Sequence, residues 1–149
     1  MTTQPHLTLN GRALRLLGAR EHSRAELERK LGRFEEEPGS LAMALDALQA
    51  KGFINEQRVL ESVLHRRSAN LGTARIRQEL QGKGLAAEAV MAAVEQLRTT
   101  EVERAREVWR RKFGEPPTNA AERGKQMRFL ASRGFGGDAI RRVVAGDDD

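Results

Sequence analysis

The chain has no cysteine and no tyrosine, and aromatic residues make up only 4% of its 149 positions. Without cysteine there is no disulfide framework, no thiolate nucleophile and no cysteine-based zinc site, a usage that fits a reducing cytoplasm. The three histidines, His6, His22 and His65, lie far apart without metal-ligand spacing, and His22, just before a helix cap, is expected on the surface. No apolar run is long enough to cross a bilayer. Residues 1–10 lack the basic start and apolar run of a signal peptide, so a cytoplasmic chain without membrane association is expected. The P-loop, dinucleotide-binding, H-E-x-x-H and G-x-S-x-G patterns are all missing. Gly134-Phe-Gly136-Gly137 is rich in glycine, but it has no P-loop lysine and no strand before it, and it reads as a turn between helices. These gaps disfavour an enzyme: no catalytic residue, no cofactor and no metal are expected.

What remains is a composition with 32% charged and 39% apolar residues, that of a globular chain rather than a disordered one. Alternating β-branched runs are absent, and the apolar residues recur at helical spacing. Ala13, Leu14, Leu16 and Leu17 mark a first helix ending near Arg20. Ser23-Arg-Ala-Glu26 is a capping box opening a second helix with Leu27 and Leu31, and Ser40 is placed as the cap of a third with Leu41, Leu45 and Leu48. Asn55 caps a fourth helix with Val59, Leu60 and Val63, and Thr73 caps a fifth with Ile76 and Leu80. Val90, Val94 and Leu97 form a sixth. Thr100-Glu-Val-Glu103, read as another capping box, opens a seventh with Val108, Trp109 and Phe113, Trp109 being a core residue rather than a base-stacking one. Asn119-Ala-Ala-Glu122 opens the eighth helix, and Ile140, Val143 and Val144 mark the ninth.

Nine helices in groups of three predict an all-α fold of three tandem three-helix repeats, forming an elongated, curved, solenoid-like domain. The boundaries read as a flexible tail over 1–10, repeats over 11–54, 55–98 and 99–145, and an acidic tail over 146–149. Internal similarity supports the grouping: Leu80-Gln-Gly-Lys-Gly84-Leu85 and Leu130-Ala-Ser-Arg-Gly134-Phe135 share one pattern. Part of that pattern is a common helix end, a cation followed by a C′ glycine and an apolar residue, which also appears at Leu48-Gln-Ala-Lys-Gly52-Phe53.

Charge is unevenly placed. Residues 1–60 carry 9 cations and 8 anions, whereas residues 61–112 carry 11 and 7. The densest stretch runs from Leu64 to Gly84 and holds Arg66, Arg67, Arg75, Arg77 and Lys83 against the single carboxylate Glu79. Arg110, Arg111 and Lys112 extend it, as do Arg128 and Arg133 in the last repeat. Arg104 extends it too, and Arg104, Arg110, Arg111 and Lys112 read with Glu101, Glu103 and Glu107 as ordinary solvated helix pairs. Such a surface asks for a polyanion or an acidic protein; the plainer alternative is a solvated face with no partner.

Several ordered motifs resemble the RecX family, modulators of the RecA recombinase. They are Ala13-Leu14-Arg15-Leu16-Leu17 with Arg20-Glu21-His22-Ser23-Arg24-Ala25-Glu26-Leu27 and Lys30-Leu31; Leu48-x-x-Lys51-Gly52-Phe53-Ile54; Gly72-x-x-Arg75-Ile76-x-x-Glu79-Leu80-x-x-Lys83-Gly84; Trp109-Arg110-Arg111-Lys112-Phe113-Gly114; and Arg128-Phe129-Leu130-x-x-Arg133-Gly134-Phe135. Together they cover residues 12–144, and Asn55-Glu56 departs from the pattern where an acidic pair is expected. The resemblance implies a monomeric, non-enzymatic regulatory protein of DNA recombination, DNA repair and the SOS response. It would bind the RecA nucleoprotein filament and inhibit recombinase, ATPase and co-protease activity, and bind single- and double-stranded DNA weakly and without sequence specificity. The cations named above are the expected contacts. The competing class is an independent helix-turn-helix-like DNA-binding regulator, for which the fifth helix, with Arg75, Arg77 and Gln78, is the candidate reader.

Overall fold

The computed structural model describes residues 7–146. Residues 1–6 of the expected N-terminal tail, His6 among them, and all but Gly146 of the acidic C-terminal tail lie outside the described residues, while Leu9 and Asn10 of that expected tail already belong to the first helix. Within them the chain is helical, with no strand: α1 (Leu9–Ala19), α2 (Arg24–Leu31) closing in a 3-10 turn (Gly32–Phe34), α3 (Ser40–Ala50), α4 (Glu56–Arg67), α5 (Thr73–Gly82), α6 (Ala87–Lys112), α7 (Ala120–Ser132) and α8 (Gly137–Ala145). Two compact units divide the chain: Met1–Ser62 with Lys83–Leu85, and Val63–Gly82 with Ala86–Asp149.

Among the described residues there are eight α-helices rather than nine, because the expected sixth and seventh are one helix of 26 residues. Thr100 does not cap. Its hydroxyl donates back to the Leu97 carbonyl at 3.3 Å, and Thr99 does the same to Gln96 at 2.7 Å, both compatible with a helix interior. Two other expected caps shift by one residue. Gly39, with φ 88°, is the N-cap of α3, and Ser40 instead donates to the Glu37 carbonyl. Gly72 supplies the carbonyl that opens α5 to the Ile76 N–H, while Thr73 is already inside that helix. The Ser23–Glu26 box forms as expected, and Asn55 and Asn119 cap α4 and α7 through their side-chain oxygens.

The first unit closes over Ala13, Leu27, Leu31, Leu41, Leu45, Leu48 and Ile54, contributed by α1, α2, α3 and the turn that follows. Fully burying a leucine stabilises by roughly 1.5–3 kcal/mol, so this leucine set is the main source of that unit's cohesion. At its edge His22 is 1% exposed, not on the surface as expected. Its Nδ1–H donates to the Arg20 carbonyl and its Nε2 accepts from the Lys30 ammonium, each at 3.0 Å. Glu26 lies beside it, 5% exposed, taking hydrogen bonds from Arg20, the Ser23 N–H and Lys83.

These two groups give the first unit a dependence on pH. Burial holds the His22 imidazole below its ordinary value of 6.5, and the cations Arg20 and Lys30 act in the same direction against the Arg20 carbonyl and Glu26. The unfolded chain therefore binds a proton that the folded chain resists, and stability falls as pH drops below 6.5. Burial alone would raise the Glu26 carboxyl, but its hydrogen bonds with Arg20, Ser23 and Lys83 outweigh it and bring it from 4.5 to about 2. That contribution, about 3 kcal/mol by linkage, is present above the unfolded value and lost as pH falls through the window down to about 2. Thermal unfolding followed by circular dichroism is expected to drop in two stages on acidification. Glu26→Gln should lower stability at neutral pH and remove the lower stage only; an unchanged lower stage in that variant would refute the assignment.

The second unit has its own core of Ala105, Val108, Leu130, Phe135, Ala139, Ile140, Val143 and Val144, with Trp109, Met127 and Phe129 packed at its margin. Trp109 is a packing residue, as expected, and its indole N–H donates to Gln126 at 2.8 Å. Buried Ile76 and Leu80 of α5 and Val90, Ala93, Val94 and Leu97 of α6 continue the apolar interior.

Candidate functional site

The cations named from the sequence come from four helices and, for Lys83 and Arg133, from the turns that follow two of them, and most are held by the fold rather than left free. Arg67, in the last turn of α4, pairs with Glu79 of α5 at 3.2 Å. Arg75 of α5 donates to the Ser132 carbonyl at 2.8 Å. Arg111, near the end of α6, donates to the Ala69 carbonyl at 2.7 Å, and Arg110 pairs with Glu107 one turn back. Lys83 lies in the first unit with its side chain only 12% exposed and its ammonium 3.1 Å from Glu26. It is an internal ion-pair partner, not a surface contact. Of the five cations in residues 64–84, Arg66, Arg67, Arg75 and Arg77 are exposed, and Lys83 alone is turned inward.

Arg66 and Arg77 are exposed and make no hydrogen bond or ion pair among the described residues. Arg128 is exposed and lies along its own helix over Gly124. The clearest gathering is around Phe129 of α7. Lys112 stands 5.4 Å and Arg133 5.0 Å from its ring centroid, while Phe113 meets the same ring edge-on at 5.5 Å. Arg111, Lys112 and Arg133 line a cavity of about 240 Å³ beside Phe129, Asn70 and Val108, with no carboxylate in its wall. A cation over an aromatic face is held in place with its outward donors available, so Lys112 of α6 and Arg133 of the turn after α7, with Arg111 beside them, converge on one anion-attracting spot.

Two residues of α6 position this surface without belonging to it. Arg104 donates to the Leu71 carbonyl at 2.6 Å, Leu97 at 3.0 Å, Ser68 at 3.1 Å and the Thr73 hydroxyl at 3.2 Å. It fixes the turn between α4 and α5; burial lowers its pKa, with Glu101 opposing. Glu101 accepts from the N–H groups of Thr73, at 3.1 Å, and Gly136, at 3.4 Å, where α5 and α8 begin. The solvated-face reading of Arg104 was therefore wrong. The signal was there: positions 97, 101, 104 and 108 fall on one helical stripe, and Leu97 and Val108 are buried.

The turn carrying Arg133 is fastened directly to the start of α5. The Gly72 N–H donates to the Arg133 carbonyl at 2.7 Å, and the Ala74 N–H to Gly134 at 3.3 Å. A matching joint occurs in the first unit, where the Ser23 hydroxyl donates to the Lys83 carbonyl at 2.6 Å and Gly84 faces Ala25. In both joints the lysine or arginine and glycine that end one helix meet the beginning of an earlier helix, which explains why the two motifs share a pattern.

Residues 99–144 match the family model described as RecX, third three-helix domain; that segment is the second half of α6 with α7 and α8. The "Regulatory protein RecX" of Leptothrix cholodnii is 54% identical over 143 residues, covering 96% of this chain and 91% of that protein. The chain belongs to the RecX family. Its counterpart in Ralstonia nicotianae is 44% identical over 142 residues, covering 95% of this chain and 89% of its own length. The crystal structure of RecX from Lactobacillus salivarius shares the fold, with a TM-score of 0.74 at 19% identity over 94% of both chains. The relatives are named as regulatory proteins, and this RecX chain is a regulator of that family. No helix among its described residues is long and apolar enough to cross a membrane.

Proposed function

We propose that this RecX chain is a non-enzymatic regulator that binds the RecA–DNA filament and inhibits recombinase, ATPase and co-protease activity, modulating recombination and the SOS response. It acts as a cytoplasmic monomer built of repeats over 11–54, 55–98 and 99–145, and it binds DNA weakly and without sequence preference. Family membership supports the partner. The observation that carries the contact surface is the pair Lys112 and Arg133 over the Phe129 ring, lining with Arg111 a cavity that has no carboxylate in its wall. Arg66, Arg77 and Arg128 add exposed charge from the same unit, while Arg67, Arg75, Arg110 and Arg111 act more weakly because their groups are already engaged. Lys83 is left out of the contact set. Binding that neutralises phosphates should weaken steeply with added salt.

The test is RecA ATP hydrolysis on single-stranded DNA, titrated with the wild-type chain and with Lys112→Glu/Arg133→Glu. Wild type is expected to inhibit, and the double variant to need about tenfold more protein, equivalent to about 1.4 kcal/mol of lost binding. Equal potency of the two would remove the surface assignment. No inhibition by the folded wild type would remove the filament reading and bring forward independent DNA binding through α5, whose Arg77 and Gln78 are exposed.

A further inference from the structure

The first unit looks neutral by count, yet its anions are mostly engaged elsewhere. Glu21 pairs with Arg58, Glu26 with Arg20 and Lys83, and both Glu28 and Asp46 with Arg24. Glu35 accepts from the Leu41 N–H at the start of α3. Five of the unit's cations gather in one place: Arg12, Arg15, Arg29, Lys30 and Arg33 all line one groove of about 520 Å³, and no carboxylate lines it.

Its apolar surface is formed by Leu7, Leu16 and Phe34. The Arg12 guanidinium lies 3.7 Å and that of Arg33 4.6 Å from the Phe34 ring centroid. Neither of these, nor Arg15, makes a hydrogen bond or ion pair among the described residues, so their planar donor forks are available. An adjoining cavity shares Leu7, Arg12, Arg33 and Phe34 and contains Glu36 and Glu37, which bound the basic groove on that side.

We infer that this groove on the first unit is a docking site for an acidic peptide segment of a partner protein, one that carries an apolar anchor residue. Guanidinium groups stacked on an aromatic ring keep their edges outward and match carboxylates two bonds at a time. The apolar floor suits a leucine or phenylalanine side chain between those carboxylates. A single-stranded nucleic acid fits less well, because base stacking needs a free aromatic face and Phe34 is already covered by Arg12 and Arg33. The groove shares no lining residue with the surface around Phe129.

Fluorescence anisotropy of the full chain with a labelled peptide of aspartates and glutamates around one phenylalanine tests this. Arg12→Glu/Arg33→Glu is expected to weaken peptide binding at least tenfold, and replacing the peptide's phenylalanine by serine should weaken it as well. Lys112→Glu/Arg133→Glu should leave peptide binding unchanged. Arg15→Glu, at an exposed position with no partner, is expected to weaken it several-fold and serves if the double variant unfolds. The inference is overturned if wild type does not bind the peptide, or if the Phe129-site variant loses as much as the groove variant. It is equally overturned if the groove substitutions weaken only a labelled single-stranded oligonucleotide.

Discussion

Gly72→Ala is expected to destabilise the second unit by roughly 3 kcal/mol or more, with a fall in Tm of about 10 °C. A Cβ at Gly72 would meet the Gly134 carbonyl group and the Phe135 nitrogen inside van der Waals contact. Those are backbone atoms and cannot rotate away. Relief requires the turn at the end of α7 to move off the start of α5, breaking the Gly72 and Ala74 hydrogen bonds to Arg133 and Gly134. Gly134 cannot yield from its side either: its φ is +91° and its own Cβ position lies 2.7 Å from the Arg75 nitrogen. Because Arg133 sits in that turn, the variant should also weaken inhibition of RecA. Thermal unfolding gives the stability change, and amide exchange at Ala74 locates it. Gly18→Ala is the control, since nothing lies within 4 Å of a Cβ there and helix propensity favours alanine by up to about 1 kcal/mol. Equal stability of the Gly72 variant and wild type would mean that the joint is not held closed.

Most of the helical layout was legible because each helix announces itself locally. The Ser23 box, the Asn55 and Asn119 caps and the terminal glycines all act within a few residues of their own positions. What the sequence misplaced depends on contacts across many residues. Thr100 had the local form of a cap, but α6 runs through it, with Glu101 and Arg104 turned sideways to hold distant turns. His22 looked like a surface residue because its burial comes from tertiary packing, not from its neighbours in sequence. The charge count missed contacts of the same kind. It grouped Lys83 with Arg66, Arg67, Arg75 and Arg77, although Lys83 pairs with Glu26 within the first unit, and it passed over the first unit, where pairing of the anions elsewhere leaves Arg12, Arg15 and Arg33 together. A tally by segment cannot tell a partnered charge from an unpartnered one.

Arg104→Met is the sharpest test of how α6 supports the surface. Methionine keeps an unbranched apolar stem but removes every donor, leaving the carbonyls of Ser68 and Leu71 without the guanidinium they bond; the Leu97 carbonyl keeps the Thr100 hydroxyl. Leu71 is buried, at 9% exposure, so water reaches its carbonyl poorly. An orphaned buried acceptor costs about 1–3 kcal/mol, which sets the expected loss at roughly 3 kcal/mol, read as a lower midpoint in urea. Arg104→Lys separates charge from geometry. A lysine retains the positive charge, but its single ammonium cannot span acceptors on α6 and on the turn after α4 together, so about half of the loss should remain. If the lysine variant matched wild type, the charge alone would matter and the forked hydrogen bonding would be incidental. If the methionine variant lost stability but kept full inhibition of RecA, the α4–α5 turn would not be what positions the cations. The expected result is that both fall together, because the Ser68–Leu71 turn that Arg104 holds is also the turn that Arg111 grips through Ala69.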